Sequence, residues 1–309
     1  MSARPHVAWP LALGLARLVA DPGPGLSRPE AIRAVATLRG LAREAGELAV
    51  QGAGLGGDAA AEVAVLDRAG WARSASATVE RMLDRLPLAE RPDGVRRRVS
   101  GVGNALLAAG ALVLGGRALL GQYDPVAQRL MLLAPSVVAV QRRHGLELTD
   151  LGLWVALHEQ VHAVQFSAAP WLLGHIEGLM AQLVGDDPGV GVLLGGPGRE
   201  VLERLGAVMA LLEGHADFVA GQAAVGRVPG VEAVRRVFER PAAGQGWRGW
   251  LAGLDKATQY RAGLAFCREV ADRAGEEALR AAFAGPQQLP GAREIADPSS
   301  WLGRVHGQA

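Results

Sequence analysis

Apolar residues recur at helical spacing over most of the chain, and the breaks in that pattern are few. From Pro29 to about Leu48, Ile32, Val35, Leu38, Leu41 and Ala42 fall on one helical face after Ser27, a residue suited to the N-cap. GAGLGG at 52–57 reads as a loop, and a second helix is expected from around Ala59 or Trp71 to Leu86. In RALLGQYDPVAQRLMLLAP, 117–135, two short apolar runs flank Asp124-Pro125, which predicts a β-hairpin. A helix from Pro135 to about His144 is expected to stop at Gly145, and Thr149 or Asp150 is placed to cap the next one. Beyond Pro170 the pattern is helical almost throughout, broken by a loop at 185–198 that reads as mobile and by glycine and proline at 226–230 and 241–246. Helices with one small antiparallel hairpin predict an α+β fold with a strong helical bias. The expected organisation is a single domain over 1–309, divisible into a lobe 1–170 and a helical lobe 171–309.

Two apolar runs resemble membrane signals. VAWPLALGLA at 7–16 is interrupted by Pro10, closed by Arg17 and followed by no small-residue cleavage site, so a helix of the mature fold is expected there. GVGNALLAAGALVLGG at 101–116 falls short of the ~20 residues that span a bilayer, and is expected to be a buried helix leading into a strand. No membrane partner is expected. The charge balance, 32 basic against 31 acidic residues with no block of like charge, offers nothing for nucleic acid. Cys267 is the only cysteine, which rules out an intrachain disulfide and any CxxC motif and fits a reducing cytoplasm. Nothing in the pattern specifies an oligomeric state.

The chemistry concentrates in LGLWVALHEQVHAVQF, 151–166. Residues four apart share a helix face, so His158 and His162 can offer imidazole nitrogens to one ion. Glu159, one residue round, is placed as a general base towards water. An HExxH arises by chance in roughly one sequence of this length in a hundred. Here, though, the flanks Val155, Ala156, Leu157, Val161, Ala163 and Val164 are all apolar, so the polar trio faces a desolvation cost that a metal would relieve.

A catalytic zinc site needs a third protein ligand. The HExxHxxGxxH extension is absent, since Gln165 and Ala168 occupy its remaining positions. The candidates are His175, Asp186, Asp187 and the stretch LLEGHADFV at 211–219. In that nearly apolar helix Glu213 and Asp217 share a face, whereas His215 points roughly 200° away. Glu213 is the favoured ligand, with Asp217 accepting the free N–H of a ligating histidine; His215 is the alternative ligand, or else a packed core histidine.

HEQVHAVQF followed by EGHAD resembles the zincin-like metallopeptidases of the gluzincin type, in which a glutamate is the third ligand. LGQYDP, LAPSV, HEQVHAVQFSAAPWL, LLEGHAD, QYRAGLAF, and LP followed by REIADPSSWLGRV together resemble an actinobacterial zincin-like family, some members of which are grouped with deazaflavin-coenzyme biosynthesis. The resemblance implies a zincin-like fold and a zinc site, and it carries no substrate with it.

The function expected is amide hydrolysis of a peptide or protein by zinc-activated water, with Glu159 as base. Tyr260 or Arg261 is the candidate donor to the oxyanion, and Leu130–Ala134 a candidate edge strand for an extended substrate. Two other classes compete. A di-iron bundle would need a second Glu-x-x-His, which is missing. A metal-binding but non-catalytic module, serving a deazaflavin-coenzyme pathway, has no use for Glu159. The tryptophans Trp154, Trp171, Trp247, Trp250 and Trp301 and the lone Cys267 read as packing residues.

Overall fold

The computed structural model describes residues 6–86, 95–185, 197–239 and 256–307. The elements run α1 (Trp9–Val19), α2 (Arg28–Ala53), β1 (Glu62–Leu66), α3 (Arg68–Arg85), α4 (Val95–Ala118), β2 (Gly121–Asp124), β3 (Arg129–Leu133), α5 (Ala134–His144), α6 (Leu148–Ala168), α7 (Trp171–Gly185), α8 (Pro197–Ala223), α9 (Val231–Glu239), α10 (Lys256–Arg280), α11 (Ala292–Ala296) and α12 (Pro298–His306). This is a predominantly helical α+β fold with one small sheet. The chain forms two compact units: 1–44, 61–156 and 228–253 make one, and 45–60, 157–227 and 254–309 the other. The division interleaves along the sequence and falls inside α2 and α6.

The first unit holds the sheet, in the order β1-β3-β2. The hairpin of β2 and β3 is antiparallel, with Tyr123 opposite Leu130. Its turn is closed by Asp124, fully buried, whose Oδ1 accepts the backbone N–H groups of Val126 and Ala127 at 2.9 Å while Oδ2 accepts from the Thr78 hydroxyl. The third strand corrects the sequence reading. Glu62–Leu66 lies parallel to β3, Val65 opposite Leu132, so of the two helix starts expected, Ala59 and Trp71, only the later lies near the start of α3 at Arg68. β3 is therefore interior, and Leu130–Ala134 cannot be the edge that takes up an extended substrate. Trp71, Leu112, Met131 and Leu133 fill the core beside the sheet. Arg68 is buried there and fully employed: Nε donates to the Gly116 carbonyl at 2.9 Å, and the guanidinium pairs with Asp21 at 3.3 Å.

The helix over 101–116 also departs from expectation. α4 has 24 residues, and the window Gly101–Ala118 is long and apolar enough to cross a bilayer by length and composition, yet only 28% of it is buried. α5 ends as expected at Gly145, which takes the left-handed φ of 62°. Neither Thr149 nor Asp150 caps α6, which begins at Leu148. Asp150 lies in the first turn and accepts the backbone N–H of Gly230 at 2.7 Å.

The second unit is helical around Leu172, Leu179, Leu211, Phe266, Val270 and Trp301. α8 and α10 cross backbone to backbone. A Cβ on Gly263 would lie 2.0 Å from the Ala210 carbonyl oxygen, and one on Gly214 would lie 2.2 Å from the Gly263 carbonyl carbon. The loop after α2 makes a similar approach, since a Cβ on Gly57 would lie 2.4 Å from the Val164 carbonyl oxygen on α6. Gly57 thus serves as packing space, whereas Gly54 and Gly56 take left-handed φ of 58° and 74°.

Candidate metal centre

The second half of α6 and the middle of α8, both in the second unit, bring His158, His162 and Glu213 together. Their ligand atoms, one from each residue, all lie within 4.8 Å of one another. His158 Nε2 is 3.2 Å and His162 Nε2 3.6 Å from the same oxygen, Oε2 of Glu213. The rings meet edge to face with centroids 4.9 Å apart, as expected of residues one helical turn apart.

The far side of each ring is occupied. His158 Nδ1 lies 3.0 Å from Asp217 Oδ1, so the carboxylate accepts that N–H and leaves Nε2 pointing at Glu213. His162 Nδ1 is 2.9 Å from Gln165 Oε1, which fixes the same tautomer by an amide. Gln165 is fully buried, and its Nε2 donates to the Leu212 carbonyl at 2.9 Å and lies 3.1 Å from His215 Nδ1. His215, also buried, packs with its ring tilted against Phe283, centroids 4.8 Å apart, and is a hydrogen-bonded core histidine. Burial, with the charges of His162 and Arg280, lowers its pKa to about 3, so it stays neutral.

The electrostatics show how tightly the trio is coupled. Burial opposes protonation of His158, but hydrogen bonds to Asp217 and Glu213 outweigh it and lift the pKa to about 10. His162 is raised likewise against burial, chiefly by Glu213, with a contribution from Glu159. Burial pushes the Glu213 carboxyl up; the charges and hydrogen bonds of the two imidazoles more than reverse this and hold it far below the usual carboxylate range. Two nitrogens on rings held from behind and one buried carboxylate oxygen, brought within 4.8 Å of one another, fit a divalent cation of borderline softness.

The remaining candidates are placed as follows. His175 lies outside the trio, half-exposed with its ring 6.0 Å from Trp171, and burial and Arg204 lower its pKa. Asp186, Asp187, Trp247, Trp250 and the side chain of Tyr260 fall outside the described residues. Arg261 is exposed on α10, two residues before the glycine that meets α8 beside Glu213. Cys267 is buried, and burial raises its thiol pKa. Gln165 and the Gly214–Gly263 crossing escaped the sequence reading. The only signal for Gln165 was one more amide in an apolar helix, and its partners lie about fifty residues away in sequence.

The sequence profile of zincin-like metallopeptidases matches residues 7–187 and 196–302 of the chain. No curated protein matches it in sequence. Among solved structures, a crystal structure from Chloroflexus aurantiacus, provisionally described as a hydrolase with a novel fold, superposes with a TM-score of 0.75 at 23% identity. That match covers 98% of this chain and 100% of the other, and it shows a shared fold.

Proposed function

Because the chain belongs to the zincin-like metallopeptidase family, we propose that it is a zinc-dependent hydrolase that cleaves peptide bonds in the cytoplasm. The observation that carries this reading is the convergence of His158 Nε2, His162 Nε2 and Glu213 Oε2, with both histidine tautomers fixed from behind. Zinc held there supplies Lewis acidity, making water nucleophilic near neutral pH and polarising a carbonyl.

The protein's own groups do the rest. Glu159 follows His158 on α6, and its charge is felt by His162; its carboxylate takes the proton of the attacking water and returns it to the leaving amine. Asp217 and Gln165 hold the imidazoles so that ligation costs no reorientation. Arg261, or Tyr260 beside it, donates to the carbonyl oxygen as negative charge develops. The purely metal-binding module is the competing reading, and Glu159 separates the two.

Glu159→Gln should keep about one zinc per chain by mass spectrometry and lose about 10²–10⁴-fold in peptide hydrolysis. Hydrolysis unaffected by this change would remove Glu159 as the base. Zinc absent from the unaltered protein, even after zinc is supplied, would sink the whole reading.

A further inference from the structure

A second feature lies in the first unit and has nothing to do with the trio. α1 and α4 pack on each other through small residues, Ala12 against Ala105 and Ala109. Their other faces are apolar and open: Leu106 is 57%, Leu107 75% and Leu114 58% exposed on α4, and Leu11 39% and Leu18 83% on α1. On α4, Leu107 and Leu114 fall roughly opposite Ala105 with Leu106 to one side, and Gly103 and Gly110, on the same open side, have nothing within 4 Å of where a Cβ would stand. An apolar face of this extent on a monomer marks an interaction surface.

Charge identifies the partner. The whole chain is nearly balanced, yet neither helix contains a single aspartate or glutamate, and every charged residue in them is arginine: Arg17 in α1; Arg96, Arg97, Arg98 and Arg117 in α4. Between α1, α3 and α4 lies a cavity of about 220 Å³ with Leu13, Leu112 and Val113 in its wall and the exposed Arg17 and Arg73 among its lining residues. Among the described residues neither arginine is ion-paired. Asp21 is the local acid, and it is already committed to Arg68 at 3.3 Å and Arg117 at 4.0 Å.

We infer that this face docks on an anionic phospholipid bilayer, with the exposed leucines entering the headgroup boundary and the arginines meeting phosphate. Two apolar helices whose only charged residues are arginines have the composition of helices lying in the membrane interface. A second copy of the chain fits less well, because an isologous contact would set arginine against arginine. The helix lies on the membrane and does not cross it, since its inner side is built into the fold through Ala105, Ala109 and Leu112.

The test is co-sedimentation of the full chain with vesicles of phosphatidylcholine alone and of phosphatidylcholine with phosphatidylglycerol. Binding is expected only to the anionic vesicles, and should weaken as salt rises. Leu106→Asn with Leu107→Asn should lower partitioning at least about tenfold. Arg17→Glu with Arg73→Glu should lower it about 25-fold or more, each neutralised arginine alone being worth about fivefold. Both pairs should retain unaltered thermal unfolding and metal content, which separates loss of docking from loss of fold. Equal binding to neutral vesicles, or none to either, would overturn the proposal. So would self-association of the unaltered chain that the leucine pair abolishes, since the face would then belong to a second copy.

Discussion

α4 and α6 look alike along the sequence, two long apolar helices without a proline in the interior, and the fold treats them in opposite ways. α6 is buried and carries polar groups inside, each answered by a partner: His158 by Asp217, His162 by Gln165, Gln160 by the backbone N–H of Ala60 at 2.8 Å. α4 contains no acidic residue and leaves Val102, Leu106, Leu107 and Leu114 in the open. Hydropathy alone therefore ranks neither helix. The partnered polar exceptions reveal chemistry in one, and the unpartnered apolar surface reveals an interface in the other.

The comparison can be broken most severely at the third ligand. Glu213→Ala should abolish stoichiometric metal binding, and in metal-free protein it should cost about 3–5 kcal/mol because His158 and His162 lose the buried charge that offsets theirs; retained metal would hand the third position to another residue. Next is Gly263→Ala, where the new Cβ meets the Ala210 carbonyl oxygen. Loss of about 3 kcal/mol or more is expected in chemical denaturation, and a neutral result would mean that the helix crossing yields easily.

Gln165→Leu should lower metal affinity by about 10–100-fold in a chelator competition while the fold persists. Unchanged affinity would reduce the amide to filling. Protons compete for the same site. Because the pKa of His158 is raised from 6.5 to about 10, its protonation stabilises the metal-free protein fully below pH 6.5 and is lost as pH rises towards 10. Glu213 has a lowered pKa, so its contribution is present above its ordinary 4.5 and is lost as pH falls. Metal must displace the imidazolium proton, so calorimetry in buffers of different ionisation enthalpy should show proton release, and affinity should climb with pH until it levels off near the raised pKa of His158, about 10. The smallest effect belongs to α4: Leu107→Gln should change stability by less than about 0.5 kcal/mol, and a larger loss would show that this face is covered.

His158, His162, Glu213 and Asp217 were legible because each pair obeys helical periodicity and stands out against apolar neighbours, so local spacing was enough to align them. Gln165 was not, because its meaning lies in Leu212 and His215 on another helix. β1 was missed for a related reason: EVAVL is five residues long, and its identity as a strand comes from a parallel partner more than sixty positions away. The hairpin was visible since Asp124 makes its turn locally, with the backbone of Val126 and Ala127. The exposure of α4 had no local signature, because the same apolar run serves equally for a core helix.

The glycine crossing of α8 and α10 has a consequence for how such a protein can change. With no side chain between the two backbones at Gly214, the depth of Glu213 is set by main-chain contact and not by the fit of neighbouring hydrophobic groups. Substitutions among Leu211, Phe266 or Val270 can then accumulate without carrying the carboxylate off its mark, so the interior of this unit is free to drift over generations while the ligand stays pinned.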